Sequence, residues 1–261
     1  MSLKDRGAIL PAGHFANWAF WLSNTGNFIS STFYGDKLPE WVDKFNAEKR
    51  CESYLKTWDL LKPKETYNES LEDDNPYEGK LYGVEKPIFP YNLKSMYDKS
   101  GASVIRATTF GNNILADFAK KTILEEKLGQ DNETDFLAVS FSSTDYIGHI
   151  IGPRSIELQD TYLRLDETIA DFLNFLDKNI GKENYLIFLT ADHACAENAK
   201  FLSDHKYNVI NIETASIQEK LKQFSLDKYG ENLVANYSNF NLFLNKQIIA
   251  SKKLELNNVK K

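Results

Sequence analysis

Two short apolar runs bracket a long helical pattern, and that order constrains the fold more than any other feature of the chain. The first run is Asp135-Phe136-Leu137-Ala138-Val139-Ser140-Phe141, the second Tyr185-Leu186-Ile187-Phe188-Leu189-Thr190. Both are short, apolar and bounded by polar residues, which reads as buried strand. Between them, Ile156 to Leu176 repeats Tyr162, Leu165, Ile169, Phe172, Leu173 and Leu176 at helical spacing. Strand, helix, strand implies a right-handed crossover, with both strand ends on one edge of a parallel sheet. An α/β fold with a largely parallel central sheet follows.

Each run leads into an acid and a histidine: Asp145-Tyr146-Ile147-Gly148-His149 after the first, Asp192-His193 after the second. The chain has 4 histidines, so half of them stand here. Side chains at strand ends project into the crevice an open sheet leaves. A carboxylate oxygen and a neutral imidazole nitrogen both suit Zn²⁺, at about 2.0–2.2 Å. Gly148 would let the backbone turn tightly between the first two donors. The pairs suggest a two-metal hydrolase; the alternative is that Asp192-His193 caps the next segment and His149 is a surface histidine. Lys4 and Arg6 flank Asp5 at the start of an apolar, proline-limited strand, where they could hold a phosphate or sulfate. His14 and His205 read as ordinary histidines, and Cys195 as a small packing residue.

A net charge of −6 argues against a nucleic-acid partner, which needs clustered basic charge. No apolar stretch approaches the length of a membrane span. Cys51 and Cys195 are too far apart in sequence for a CxxC knuckle, and a disulfide between them stays open. A hairpin is expected across Asn24-Thr25-Gly26-Asn27. Helices are expected from Glu40 to Arg50, with Trp41, Val42 and Phe45 on one face, and from Ile114 to Leu128, with Leu115, Phe118, Ile123 and Leu124 buried. Residues from about 52 to 100 include a long stretch without sustained period and read as an inserted cap or surface excursion. The tail alternates the apolar runs Val209-Ile210-Asn211-Ile212 and Asn241-Leu242-Phe243-Leu244 around a helix near Ser216 to Phe224.

Asp145-x-x-Gly148-His149-x-x-Gly152-Pro153, then Arg164-Leu165-Asp166, then Thr190-Ala191-Asp192-His193 together resemble the central block of the alkaline phosphatase superfamily. The stretch from Leu3 to His14 narrows the resemblance to PafA-type bacterial alkaline phosphatases, kin of the type I phosphodiesterases and nucleotide pyrophosphatases. With Gly111-Asn112 and Trp41-Val42-x-x-Phe45-Asn46 in keeping, it extends over nearly the whole chain.

The resemblance implies a three-layer sandwich over 1–261, incomplete, and a small-molecule phosphate ester as substrate. It implies two zinc ions, one on Asp145 and His149, the other on Asp192 and His193. Lys4 and Arg6 would contact the phosphoryl oxygens, and a threonine or serine would form a phospho-enzyme. It also implies a periplasmic or secreted protein, although Met1 to Arg6 is no signal peptide. Two parts of the pattern are missing. The nucleophile segment is expected well before Lys4, and a further histidine ligand well after Asp192-His193, but none follows His205. Thr108 and Thr109 lack the nucleophile's context. Both zinc sites are therefore expected to be incomplete and the chain inactive, with an open sheet edge that favours self-association. A phosphodiesterase or nucleotide pyrophosphatase, or a non-catalytic ligand-binding module on the same scaffold, are the alternatives.

Overall fold

Residues 1 to 3 lie between two other segments and are held to both by backbone hydrogen bonds, Ser2 forming an isolated bridge to each. The structure, a computed structural model, describes residues 1–210 and 214–259. The Met1 amino group donates to the Ala138 carbonyl at 2.7 Å, and the Ser140 amide donates to the Met1 carbonyl at 3.0 Å. On the other side the Ser2 amide donates to the Phe20 carbonyl at 3.0 Å, and the Ser2 carbonyl accepts from the Leu22 amide at 3.2 Å. Ser2 thus bridges both Trp21 and Ser140 in parallel.

The chain divides into two compact units, 1–201 and 202–261. In the first, α1 spans Asp5–Ala12. A strand was expected there. Asp5 in the first turn suits the positive helix end, and Gly13, at φ 59°, ends the helix where a side chain would be strained. The expected hairpin is present as β1 (Trp21–Leu22) paired antiparallel with β2 (Phe28–Ile29). Next come α2 (Glu40–Ala47), which buries Trp41, Val42 and Phe45, and the single turn α3 (Arg50–Ser53).

The segment expected as an excursion contains β3 (Thr57–Trp58), paired antiparallel with β4 (Tyr91–Asn92), and α4 (Leu93–Ser100), capped by the Asn92 side chain. After α5 (Ser103–Arg106), α6 runs Thr109–Glu125, α7 Ser143–Ile150 and α8 Ile156–Asn179. The Ser155 hydroxyl accepts from the Leu158 amide at 3.2 Å and so caps α8. The boundary between the units falls within α9 (Ala199–Asp204). No described helix is long and apolar enough to cross a membrane.

The α6 stripe is buried at Leu115, Phe118 and Ile123, whereas Leu124 faces solvent; on α8, Phe172 and Leu176 are buried and Tyr162 is exposed. Phe118 lies at the centre of one core, ringed by Phe20, Phe28, Trp41 and Phe45. A second core gathers Trp58, Leu81 and Tyr91 from the excursion against Ile147 and Leu158. The excursion is fastened to the helical layer, with Gly79 donating to the Ile151 carbonyl at 2.7 Å and Leu71 to Arg154 at 2.8 Å. A Cβ on Gly79 would collide with the Ile150 carbonyl. Gly79→Ala is therefore expected to lower the melting temperature by several degrees, measurable by calorimetry.

Sheet pairing is the main difference from expectation. Tyr185–Thr190 is extended but forms no ladder among the described residues, and Leu186 and Leu189 are 93% and 80% exposed. Its burial was expected from its composition. No described strand edge is paired with it, so its apolar side chains stay in water.

In the second unit, α10 (Thr214–Tyr229) precedes β5 (Val234–Ser238), which pairs antiparallel with β6 (Asn241–Leu244). Asn239 and Phe240, both at positive φ, make the tight turn between them. Buried Ser225 on α10 accepts from the Leu233 amide at 2.7 Å and donates to the Glu231 carbonyl at 2.8 Å. Then come α11 (Lys246–Ser251), capped by Asn245, and α12 (Leu256–Val259). Of the expected apolar run Val209–Ile212, the last two residues lie outside the described residues.

One buried carboxyl makes the fold pH-dependent. Glu157, in the first turn of α8, is fully buried; Tyr91 donates its hydroxyl to Oε1, while Oε2 has no hydrogen-bond partner. Burial pushes the Glu157 carboxyl up to about 8. Between its ordinary 4.5 and 8, the unfolded chain has released a proton that the folded chain retains. Stability therefore falls as pH rises through that window, by up to about 1.4 kcal/mol per unit. Glu157→Gln removes this slope. The variant should be more stable than the parent in urea unfolding at pH 8, with the advantage gone near pH 4.5.

Candidate active site

Asp145 and His149 stand one turn apart on the same face of α7, not on either side of a tight turn as expected. Gly148 therefore sits within a helix, at ordinary helical φ. The i,i+4 spacing brings His149 Nε2 to 3.3 Å from Asp145 Oδ1. His193 reaches the same oxygen, Nε2 to Oδ1 3.5 Å, and lies slightly farther, 3.7 Å, from its neighbour Asp192. Thus Asp145 is the shared partner of both imidazoles. The Asp192 side chain is 91% exposed and, among the described residues, accepts only from the His193 amide, at 3.1 Å. The Ala194 carbonyl lies 3.0 Å from His193 Nδ1. A carbonyl can only accept, so in that contact Nδ1 is the donor.

The other Asp145 oxygen, Oδ2, accepts from the Lys4 ammonium. Lys4 reaches it because residues 1 to 3 are laid in beside Ala138–Ser140, just before α7. The ammonium also stands 4.6 Å from the centre of the Tyr146 ring. Burial first, then the nearby Arg6 charge, pull the Lys4 ammonium below its usual range, and Asp192 opposes them. Arg6 sits on the first turn of α1, exposed, with no hydrogen bond or ion pair from its guanidinium among the described residues. It is the cation available to an incoming anion.

Whether these residues suit zinc divides into kind and number. In kind they fit, since two carboxylates and two imidazoles are the donors zinc takes. In number they fall short: among the described residues no group of three or more His, Cys, Asp or Glu could hold an ion. The reason is local. Asp145 Oδ1 lies between the two Nε2 atoms as their direct partner, its Oδ2 is held by Lys4, and Asp192 turns to solvent.

The remaining sequence candidates lie elsewhere. Thr108 is buried and donates its hydroxyl to the Ile105 carbonyl at 2.9 Å, and Thr109 is buried as well. Cys51 and Cys195 are free thiols, one buried and one exposed, and burial pushes the Cys51 thiol up to about 11. The ring of His14 packs 5.6 Å from that of Phe33. Sequence reasoning missed Tyr146, which underlies Lys4 and also lies 5.7 Å from the Arg106 guanidinium. An aromatic between two expected ligands on one helix was the available signal.

Comparison with known proteins adds four findings. The family model of type I phosphodiesterase / nucleotide pyrophosphatase matches residues 6–258. A protein of Myroides odoratus named calcium-transporting ATPase is 47% identical over 98% of this chain and 47% of its own. Alkaline phosphatase PafA of Elizabethkingia meningoseptica is 42% identical over 100% of this chain and 48% of its own. The crystal structure of wild-type alkaline phosphatase PafA superposes with a TM-score of 0.91 at 42% identity, covering 99% of this chain and 50% of that one. The chain thus spans about half the length of these relatives, and its fold is the α/β fold of alkaline phosphatase PafA. With a family model matched across nearly its whole length, the chain belongs to the type I phosphodiesterase / nucleotide pyrophosphatase family.

Proposed function

We propose that this chain carries the phosphate-binding part and half of the metal donors of a phosphate monoesterase, and that by itself it is inactive. The observation that carries this reading is the convergence of Lys4, His149 and His193 on Asp145, with the exposed Arg6 close enough to Lys4 for its charge to act on that ammonium. A phosphoryl group needs cations on its oxygens. Arg6 offers a planar fork for two of them and Lys4 a point charge for a third. The Asp145 carboxylate orients Lys4, and the Tyr146 ring supports its ammonium from below. The similarity to alkaline phosphatase PafA supports monoesters as the substrate class, and the family model keeps phosphodiesters as the second reading.

Asp145, His149, Asp192 and His193 would hold zinc, two donors to each of two ions. When bound, zinc would act as a Lewis acid toward phosphoryl oxygens in a two-metal, phospho-enzyme reaction. Two protein donors per ion fall short of the usual set of at least three, so binding should be weak. Zinc and the phosphate ester are the small-molecule partners of this reading, and a periplasmic or secreted location goes with the alkaline phosphatase likeness.

Two measurements test it. Pure chain, exchanged into zinc-containing buffer and desalted, should keep less than one zinc by metal analysis and show no turnover of an aryl phosphate. Strong zinc-dependent turnover would contradict the reading. Arg6→Ser should weaken inorganic phosphate binding by at least about tenfold, through the loss of the two charge-assisted bonds of its fork. An unchanged affinity by calorimetry would remove Arg6 from the site.

A further inference from the structure

His149 faces Asp145 on one side and borders an open cleft on the other. The cleft has a volume of about 380 Å³, within the range that small-molecule sites occupy. One wall comes from the excursion, at Tyr77 and Glu78, the other from α7 at Gly148 and His149, and the rim from Asn198 and Lys200.

These walls are preformed. Gly79 is bonded to Ile151 at 2.7 Å, which ties the excursion to the end of α7. Asn198 donates its side-chain amide to the Tyr77 carbonyl at 3.1 Å and accepts from the amides of Lys200 and Phe201 at 2.9 and 3.2 Å, so the rim is anchored to the first wall. Glu78 is positioned by Asn75, whose amide nitrogen donates to it at 2.6 Å. The Tyr77 ring is held edge-on by Phe201 at 5.2 Å.

We infer that this cleft receives the organic group of the phosphate ester, and that it favours a ring bearing hydroxyl or amino groups over a small alkyl group. The inference rests on the phosphate-ester reading above. Lys4 and His149 share Asp145, so an anion on Lys4 would sit across that carboxylate from His149, and a substituent carried past the imidazole would enter the cleft that His149 lines. There the Tyr77 ring, which has the Lys200 ammonium 5.1 Å from its centre, offers its other face, worth about 0.5–1.5 kcal/mol to a stacked ring. The Glu78 carboxyl offers a hydrogen-bond partner to a ring hydroxyl. Burial pushes that carboxyl up to about 7, so near neutrality it both donates and accepts.

The test compares two non-hydrolysable probes sharing one head group, methylphosphonate and 4-hydroxybenzylphosphonate, by calorimetry with the whole chain. The wild-type chain should bind the ring-bearing probe at least about fivefold tighter, the equivalent of one stacked ring. Tyr77→Ala should remove most of this advantage and leave methylphosphonate within twofold. Gly148→Leu is a second variant, because Gly148 lines the cleft and a Cβ there meets only Leu158 Cδ2, at 3.9 Å, an ordinary contact. It too should abolish the advantage. If methylphosphonate binds and the ring-bearing probe is no tighter, or if both variants keep the advantage, the cleft inference is overturned while the phosphate reading stands. If neither probe binds, the phosphate reading fails and the inference with it.

Discussion

Asp160→Ala should destabilise the chain by about 3–5 kcal/mol, the expected consequence of breaking a buried ion pair. The Asp160 side chain on α8 is fully buried and accepts four hydrogen bonds. Trp58 Nε1 and Arg164 Nε donate to Oδ2, both at 2.7 Å; the Tyr67 hydroxyl and the Leu61 amide donate to Oδ1 at 2.6 and 2.8 Å. Three of these donors belong to the excursion, so this carboxylate fastens it to the helical layer. Truncation leaves an indole, a phenol, an amide and part of a guanidinium without their acceptor. Asp160→Asn should lose less, because its amide oxygen still serves one side, yet its NH₂ faces donors on the other. Urea unfolding of both variants checks the order. A loss below 1 kcal/mol for alanine would show that the excursion is held mainly by its apolar contacts.

Phe118→Ala should cost a similar amount, about 3–5 kcal/mol, through the cavity it leaves. The ring is fully buried and stacks on Phe28 with centroids 3.7 Å apart, while Phe20, Trp41 and Phe45 surround it at 5.4, 5.2 and 5.1 Å. These partners come from the residue just before β1, from β2 and from α2, so a single side chain on α6 joins the hairpin and α2. Rings that share a cavity do not act independently. The double variant Phe28→Ala, Phe118→Ala should therefore lose clearly less than the sum of the single losses. Additive losses would mean that the two rings do not pack as a pair.

Legibility in the sequence followed where local pattern and tertiary context agreed. The helices α2, α6 and α8 were readable because an apolar face repeats over several turns, and the β1–β2 hairpin because Asn24 to Asn27 supplies turn chemistry. The helix α1 was misread as a strand: eight residues with a proline near the end offer too little period to decide. Asp145 and His149 were read as flanking a turn, although four residues of separation is itself the spacing of one helical face. Tyr185–Thr190 shows the opposite limit. Its composition announces a buried strand, but burial depends on neighbours that its own residues do not specify. Nor could the chain order reveal Asp160, whose partners Trp58 and Tyr67 lie far upstream.

The candidate site followed the same rule. Both acid-histidine pairs were visible as motifs, and similarity to alkaline phosphatase PafA gave them a context. The chain order already let the two pairs converge, but not the detail that both imidazoles reach one oxygen of Asp145, His149 by helical spacing and His193 from the 190s segment.

That shared carboxylate is the centre of the account, and histidine side-chain NMR during a zinc titration tests it most directly. The prediction is that His149 and His193 respond together, that His14 and His205 change little, and that Asp145→Asn abolishes the coupled response. Equal responses from all four histidines, or a coupled response that survives Asp145→Asn, would contradict it.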